Sequence, residues 1–214
     1  ARVRSLTTYD RTWYTLGSPM AKLTVSRIKL AATLAGAIEK HDNRYGQSRF
    51  SRFLRTFREA TEAPYLDSRL HQFVRCAEGV AVPPFNQSGK QFAKRLSRVC
   101  AGRAKAELEQ LYTIRGGIEH LHGPYDRLPR MSKRNRWIRV LLRTVQAEAV
   151  ARYLLLTYLT NEGLWPHFQR RSSIDAFWEL KPAGFRALWP SRIAFNAIAR
   201  GFDYASLVDH EHDT

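Results

Sequence analysis

The longest helical signal in the chain is WIRVLLRTVQAEAVARYLLLTYL, residues 137–159. Its apolar side chains recur every three or four positions, which is the spacing of one face of an α-helix. The positions that carry this period are Ile138, Leu141, Leu142, Val145, Val150, Leu154 and Leu155. Because its most apolar part holds Glu148 and Arg152 and is too short to cross a bilayer, we expect a helix packed in a protein core.

The same spacing recurs through most of the chain, and few segments alternate as strands do. Residues 20–40 form a predicted helix that Ser18-Pro19 would begin, with a strand as the alternative for the first half of this run. Residues 41–47 form a predicted polar loop. Another long helix is predicted from Gly89 onward, with an interruption expected at Ala101-Gly102. The sequence therefore predicts an all-α fold, a helical bundle with additional helices at both ends.

The spacing of apolar residues and the positions of prolines divide the chain into three parts. Residues 1–47 are predicted to be an N-terminal helical extension, and residues 48–162 the helical bundle. Residues 163–214 are divided by prolines and predict short helices and a tail. The first residue is Ala1, which fits a processed chain or a piece of a longer assembly.

The net charge of the chain limits the classes of partner that it is expected to bind. Lys and Arg number 35 against 19 Asp and Glu, a formal net charge of +16, so the chain should attract polyanions. Nucleic acid is the first candidate, and an acidic membrane surface or an acidic protein is the second; a genomic bias toward Arg is the simpler alternative. The 11 Phe, 9 Tyr and 5 Trp exclude a wholly disordered chain.

The two cysteines, Cys76 and Cys100, cannot build a disulfide scaffold and lack the spacing of a zinc site. We read them as core residues of a protein in a reducing compartment, and so expect a cytoplasmic location. No pattern in the sequence indicates a cofactor or a metal. With no apolar span and no secretory leader apparent, we expect no membrane insertion.

The segment with the clearest chemistry is LYTIRGGIEHLHG, residues 111–123. It places Arg115 shortly before His120 and His122 at the predicted end of a helix. Arg offers a fixed positive fork for phosphate oxygens, and an imidazole titrates near pH 6.5, so it can exchange a proton at neutral pH. Gly116 and Gly117 lack side chains, which would let another backbone or a phosphate approach closely.

The spacing resembles the R-x(4–6)-H motif of the HEPN superfamily, with Arg115 to His120 as the four-residue version and Arg115 to His122 as the six-residue version. The surroundings resemble the Apea-like branch, in which an Arg-Phe-Leu-like stretch is followed by an apolar helix with a Glu, a Phe/Leu-rich helix, the motif and a closing apolar helix. The similar stretches here are Arg52-Phe53-Leu54, 73–78 with Glu78, 91–96, 111–123 and 137–159.

This resemblance covers about residues 48–162 and departs from the family at two points. Gly116 stands where the family has a small polar residue, and the Gly that follows the motif His comes after His122 instead of His120. On an ideal helix Arg115 and His122 share a face, while His120 lies about 140° away. Which His corresponds to the family motif is left open.

The resemblance implies a HEPN-like bundle that cleaves RNA without a metal, in a site shared between two copies of the chain. Arg115 would stabilise the phosphate, and His120 or His122 would transfer protons during attack of a 2′-OH. Such an enzyme would be a toxin or an antiviral defence effector, with an antitoxin or a larger assembly as a further partner. The alternative is a non-catalytic module that binds RNA or a partner protein.

Simpler structural roles compete with these. Arg115 and Glu119 are four residues apart and would form a helix ion pair. His120 and His122 would then only end a helix, where positive charge is favoured.

A basic segment follows the motif. It would guide an RNA backbone through Arg127, Arg130, Lys133, Arg134, Arg136 and Arg139. Trp137 would either stack on a base or lie in the core, and the core is favoured. The row of Arg49, Arg52, Arg55 and Arg58 on a short helix is read as a solvated face.

Overall fold

The computed structural model describes residues 24–46, 48–84, 88–123, 126, 128, 130 and 132–200. Within these ranges the regular structure is helical. The elements are α1 (Val25–Tyr45), α2 (Arg49–Glu62), α3 (Leu66–Ala81), α4 (Ser88–Leu96), α5 (Lys105–Glu119), α6 (Lys133–Thr160), a 3-10 helix (Glu162–Phe168), α7 (Arg171–Glu179), α8 (Pro182–Leu188) and α9 (Phe195–Arg200). The predicted all-α bundle is confirmed.

Side-chain caps set several helix starts. Thr24, Ser48 and Ser132 each accept a hydrogen bond from a backbone N–H in the first turn of α1, α2 and α6. Asn161 does the same for the 3-10 helix, at 3.1 Å from the nitrogen of Gly163. These residues satisfy N–H groups that the helix itself leaves unpaired.

The core is built around α3 and α6. α3 packs against α2, α5 and α6, and α4 packs on α5. Leu70, Phe73, Leu108, Leu154 and Phe195 are all fully buried. One cluster of buried side chains continues from α2 to α9, so the short C-terminal helices pack on the same core as the bundle. Within the described ranges, no helix has both the length and the apolar character of a membrane span.

The long helix predicted from Gly89 is interrupted where Ala101-Gly102 were expected to break it. α4 ends at Leu96, and Gly102 adopts a φ of +81°, in the left-handed region that glycine tolerates. The freed backbone pairs with the C-terminal part of the chain: Ala101 N donates to Ile193 O at 2.7 Å, and Ile193 N donates to Val99 O at 2.9 Å. This break ties the segment before α9 to the bundle.

The polar loop predicted at residues 41–47 is wrong for most of its length. α1 continues to Tyr45, and His41 is fully buried. Its ring lies 4.7 Å from that of Phe50 and 5.2 Å from that of Trp165, centroid to centroid, and its Nε2 is 3.0 Å from the hydroxyl of Tyr158. The buried imidazole packs among aromatic rings with its Nδ1 without a hydrogen bond to the described residues, and polarity along the sequence does not reveal this burial. The predicted start at Ser18-Pro19 lies outside the described residues.

Candidate functional site

The sequence motif places Arg115 in the penultimate turn of α5, where two carboxylates hold it. Arg115 Nη2 lies 2.8 Å from Glu78 Oε2, and Arg115 Nη1 lies 2.7 Å from Glu119 Oε2. The side chain of Arg115 is 13% exposed. The hydroxyl of Tyr112 donates to Glu78 Oε1 at 3.1 Å, and the guanidinium carbon of Arg115 lies 5.5 Å from the centre of the Tyr112 ring.

Helix geometry explains this grouping only in part. Tyr112, Arg115 and Glu119 are spaced by three and four residues, so α5 presents them on one face. The ion pair between Arg115 and Glu119 is therefore present, as the simpler interpretation of the sequence predicted. Glu78 comes from the last turn of α3 and reaches Arg115 because α3 packs against α5.

Sequence reasoning missed one residue of this cluster, His71. Its Nε2 lies 3.6 Å from Glu119 Oε1, and the ring is largely buried. Burial, followed by the positive charge of Arg115, lowers the pKa of His71, so this imidazole is neutral at pH 7. His71 precedes Glu78 by two turns of α3, a spacing that places both on one face of the helix and is readable in the sequence.

Two buried nitrogens of the cluster form no hydrogen bond with the described residues. They are Arg115 Nε and His71 Nε2. We define the Arg115 cluster as His71, Glu78, Tyr112, Arg115 and Glu119. With His71 neutral, two carboxylates outweigh one guanidinium, so the cluster as it stands is not a positive site for a phosphate.

The two candidate proton carriers lie just beyond α5. The helix ends at Glu119, and His120 and His122 are both exposed. His122 N donates to Gly117 O and Leu121 N donates to Ile118 O, each at 3.0 Å, which is the Schellman pattern of a helix end. Because the helix ends before either imidazole, the ideal-helix face shared by Arg115 and His122 does not extend to His122.

Leu121 gives this helix end an unusual backbone. Its φ is +60°, a left-handed conformation that glycine normally provides at this position, and its side chain is 96% exposed. A branched residue in this region costs about 1–2 kcal/mol. The chain therefore stores strain between the two histidines of the motif.

The predicted RNA-binding segment is only partly described. Arg127 and the side chain of Lys133 lie outside the described parts of the chain. Arg130 and Arg134 are exposed, while Arg136 and Arg139 are half-buried.

Positive charge is concentrated at the N-terminus of α6, the end of a helix where it lowers stability. Lys133, Arg134 and Arg136 fall in its first turn, and no acidic residue lies there. Cations at a helix N-terminus oppose the helix dipole. The same arrangement creates a positive surface, and a bound anion would reduce the repulsion among these cations. Trp137 is half-buried against Leu141 and Val145, as the core interpretation predicted.

In the part of the chain that the structure describes, the cysteines and acidic groups form no second candidate centre. Cys76 and Cys100 are buried free thiols, and burial raises both pKa values, that of Cys100 to about 12. Among the described residues, no three or more His, Cys, Asp or Glu side chains are grouped as metal ligands would be. The tail with His210 and His212 lies outside those residues.

Comparison with known proteins adds no relative. Protein-family models, curated proteins and solved structures all fail to match the chain.

Proposed function

We propose that this chain is a metal-independent endoribonuclease of HEPN type that acts as a homodimer. The observation that carries the proposal is the contact among Glu78, Tyr112 and Arg115. These residues come from two stretches of the resemblance that are far apart in the sequence. Their meeting next to two exposed histidines is what a site built from this motif requires.

The exposed histidines supply the proton transfers. One imidazole, of His120 or His122, takes the proton from the attacking 2′-OH as its oxygen bonds to phosphorus. The bond from phosphorus to the 5′ oxygen breaks, and an imidazolium from the second copy returns a proton to that leaving oxygen. The products are a 2′,3′-cyclic phosphate and a free 5′-OH.

Arg115 stabilises the charge that develops on the phosphate. In the free chain Glu78 and Glu119 hold its guanidinium, so a phosphate must displace one of them. Glu119 is the weaker holder, because its side chain is 38% exposed against 25% for Glu78. RNA binding would therefore exchange Glu119 for phosphate while Glu78 keeps Arg115 oriented.

Gly116 supports the approach of a second molecule at this point. A Cβ added to Gly116 would meet no atom within 4 Å, so the fold of the described chain does not require glycine there. A glycine inside a helix costs up to about 1 kcal/mol relative to alanine. Close approach of an RNA backbone or of a second copy gives this glycine a role.

An active ribonuclease in the cytoplasm would damage the RNA of its own cell. We therefore place this chain among toxins or defence effectors that a partner, an antitoxin or a larger assembly, keeps inactive. The strongly positive chain would make an acidic partner protein a natural inhibitor, because such a protein competes with RNA for the same charge.

The second candidate function is RNA binding without cleavage. The pairing of Arg115 with two carboxylates favours it, because a guanidinium already neutralised is a poor clamp. In this role the exposed Arg130 and Arg134 would contact phosphates, and Arg115 would only join α3 to α5.

Cleavage of single-stranded RNA in EDTA separates the two functions. The test uses the wild-type chain, His120→Ala, His122→Ala and Arg115→Lys, with His167→Ala as a histidine control outside the cluster. Both motif histidines are exposed, so their replacement should leave the fold intact. Arg115→Lys keeps the charge between the two glutamates, which Arg115→Ala would leave unpaired.

The ribonuclease proposal expects cleavage that survives EDTA, ends in a cyclic phosphate, and falls by about 10²-fold or more in at least one histidine variant. His167→Ala should cleave as the wild type does. Equal retention of RNA by all five proteins without cleavage, weakening steeply with salt, would instead establish the binding module.

A further inference from the structure

A groove lies between α4 and the junction of α7 and α8. Its volume is about 570 Å³, within the range of sites that hold small molecules. Lys94, Arg95 and Arg98 line the side that comes from α4 and the turn after it. Leu180 and Pro182 line the opposite side. The groove therefore joins a cationic wall to a mainly apolar one.

Backbone carbonyls hold Arg98 in place at this groove. Its Nη1 donates to Trp178 O, its Nη2 donates to Leu180 O at 2.7 Å, and its guanidinium carbon lies 3.9 Å from the centre of the Phe185 ring. Because a guanidinium has five N–H donors, others remain for a ligand. Neutral carbonyls fix the direction of this cation without cancelling its charge, and no carboxylate pairs with it within the described ranges.

The charge around the groove is strongly positive. Arg95 is paired with Asp175 at 2.7 Å, and Glu179 is the one carboxylate among the described residues of the lining. The flanking stretches 88–103 and 180–192 contain five and three Lys or Arg residues, respectively, and no Asp or Glu. Such a surface attracts a polyanion.

α4 connects the groove to the Arg115 cluster. It begins against Tyr112, because a Cβ added to Gly89 would lie 3.2 Å from the Tyr112 ring. Lys90 and Lys94 follow at the four-residue spacing of one helix face; both are exposed, and neither forms an ion pair within the described ranges. α4 rises about 12 Å over its length, which a stacked strand spans with about three or four nucleotides.

We propose that this groove binds the phosphates of the single-stranded RNA that the Arg115 cluster acts on. This inference rests on the proposed function, in either its cleaving or its binding form. Lys90, Lys94 and Arg98 contact successive phosphates, while Leu180 and Pro182 contact a base or a sugar. RNA is favoured over an acidic protein because the exposed cations of α4 continue from the groove to the cluster.

The probe for this test is a fluorescent single strand of about ten uridines with 2′-O-methyl riboses. Without a free 2′-OH this strand cannot be cleaved by the proposed reaction, so its binding is measured apart from cleavage. Fluorescence anisotropy of the full chain at several salt concentrations gives the affinity and its dependence on salt. Lys90→Gln/Lys94→Gln removes two exposed cations from the path. Lys29→Gln/Arg55→Gln removes the same charge at exposed positions of α1 and α2 and is the matched control.

The wild type should bind the strand, and Lys90→Gln/Lys94→Gln should bind it at least about tenfold more weakly. The slope of log affinity against log salt should be smaller in magnitude by about 1.4 in this variant, because two phosphate contacts are lost. The control should lose no more than about twofold in affinity, because its cations lie off the path.

A second pair of variants tests the opposite wall. Pro182→Glu places a negative charge in the groove at the first turn of α8, where the helix tolerates it, and should weaken binding about fivefold. Ala187→Glu adds the same charge at an exposed position of α8 outside the lining and should change the affinity by no more than about twofold.

Absence of binding by the wild type at low salt would overturn the inference. So would equal affinities of the lysine variant and its control, or of Pro182→Glu and Ala187→Glu. A wild type that binds polyglutamate but not the strand would overturn it in favour of an acidic protein.

Cleavage of unmodified RNA is measured separately. A strand that is bound along α4 but never cleaved contradicts the ribonuclease and supports the groove. Cleavage with equal binding by the lysine variant and its control contradicts the groove and leaves the ribonuclease standing.

Discussion

Two arginines of this chain, Arg115 and Arg49, are both half-buried and have opposite surroundings. Arg115 lies between Glu78 and Glu119, with both contacts under 3 Å. Arg49 lies among Arg52 and Arg171, beside an apolar cavity, and no described carboxylate reaches it. The motif residue Arg115 is thus neutralised, whereas Arg49, read as part of a solvated row, has no carboxylate partner among the described residues.

This difference shows that the place of an arginine in a sequence motif does not tell whether its charge is available to a ligand. A carboxylate four residues away on the same helix can be read from the sequence, but one on another helix cannot. Glu78 reaches Arg115 only through the packing of α3 on α5. Within the described ranges Arg49 has no such partner, because the charges near it, Arg52 on α2 and Arg171 on α7, are also basic.

The largest expected effect is on stability and tests the comparison directly. Arg115→Met should lower the free energy of unfolding by about 2 kcal/mol, because it leaves Glu78 and Glu119 facing each other without their cation. Arg49→Met should lower it by no more than about 0.5 kcal/mol, or raise it, because it removes a cation from beside two others. Urea denaturation of both variants measures this. Equal losses of unfolding free energy in the two variants would contradict the difference described between Arg115 and Arg49.

The dependence of stability on pH tests the protonation state of His71 in the Arg115 cluster. The folded-state pKa of His71 is lowered from 6.5, so the unfolded chain binds a proton more readily than the folded one. Stability from this residue is complete above about pH 6.5 and is lost as the pH falls below it, by up to about 1.4 kcal/mol per pH unit. His41, whose pKa burial also lowers, adds to this loss.

His71→Gln should therefore reduce the loss of unfolding free energy between about pH 7 and about pH 5, measured by denaturation at each pH. The contribution of His41 should remain in this variant. An unchanged pH profile in His71→Gln would show that Arg115 and burial do not act on His71 as described.

A smaller effect is expected at the strained helix end next to the cluster. Leu121→Gly should raise the free energy of unfolding by about 1 kcal/mol, since glycine adopts a φ of +60° without strain and an exposed leucine loses no burial. If Leu121 also presents the motif histidines, RNA cleavage should fall although the fold is more stable. A thermal melt and a cleavage assay on the same preparation separate these effects.

The smallest effect is expected at Gly116. Gly116→Ala should stabilise the chain by about 0.5–1 kcal/mol, because the added methyl group meets no neighbour and alanine favours the helix. In the proposed ribonuclease it should also reduce cleavage, since the methyl group occupies the path of the approaching partner. Stabilisation with unchanged cleavage would remove Gly116 from the site.

Much of the fold could be predicted because helical periodicity is local. The apolar spacing of residues 137–159 predicted α6, and Ala101-Gly102 predicted the break before α5. The helix end near the motif was expected, although α5 ends at Glu119, before both histidines. The burial of His41 was not predictable, because it depends on Trp165 and Tyr158 from distant parts of the chain.

The sequence by itself determined that this is a strongly basic, all-α protein whose Arg115 and Glu119 share one face of a helix. Helix period, capping residues and composition act over a few neighbouring positions, so they can be read directly. Only the tertiary structure decided that Glu78 and His71 join Arg115, and that no carboxylate of the described ranges pairs with Arg49. Pairing and burial of a charge depend on which helices pack together, and that packing is a property of the whole core.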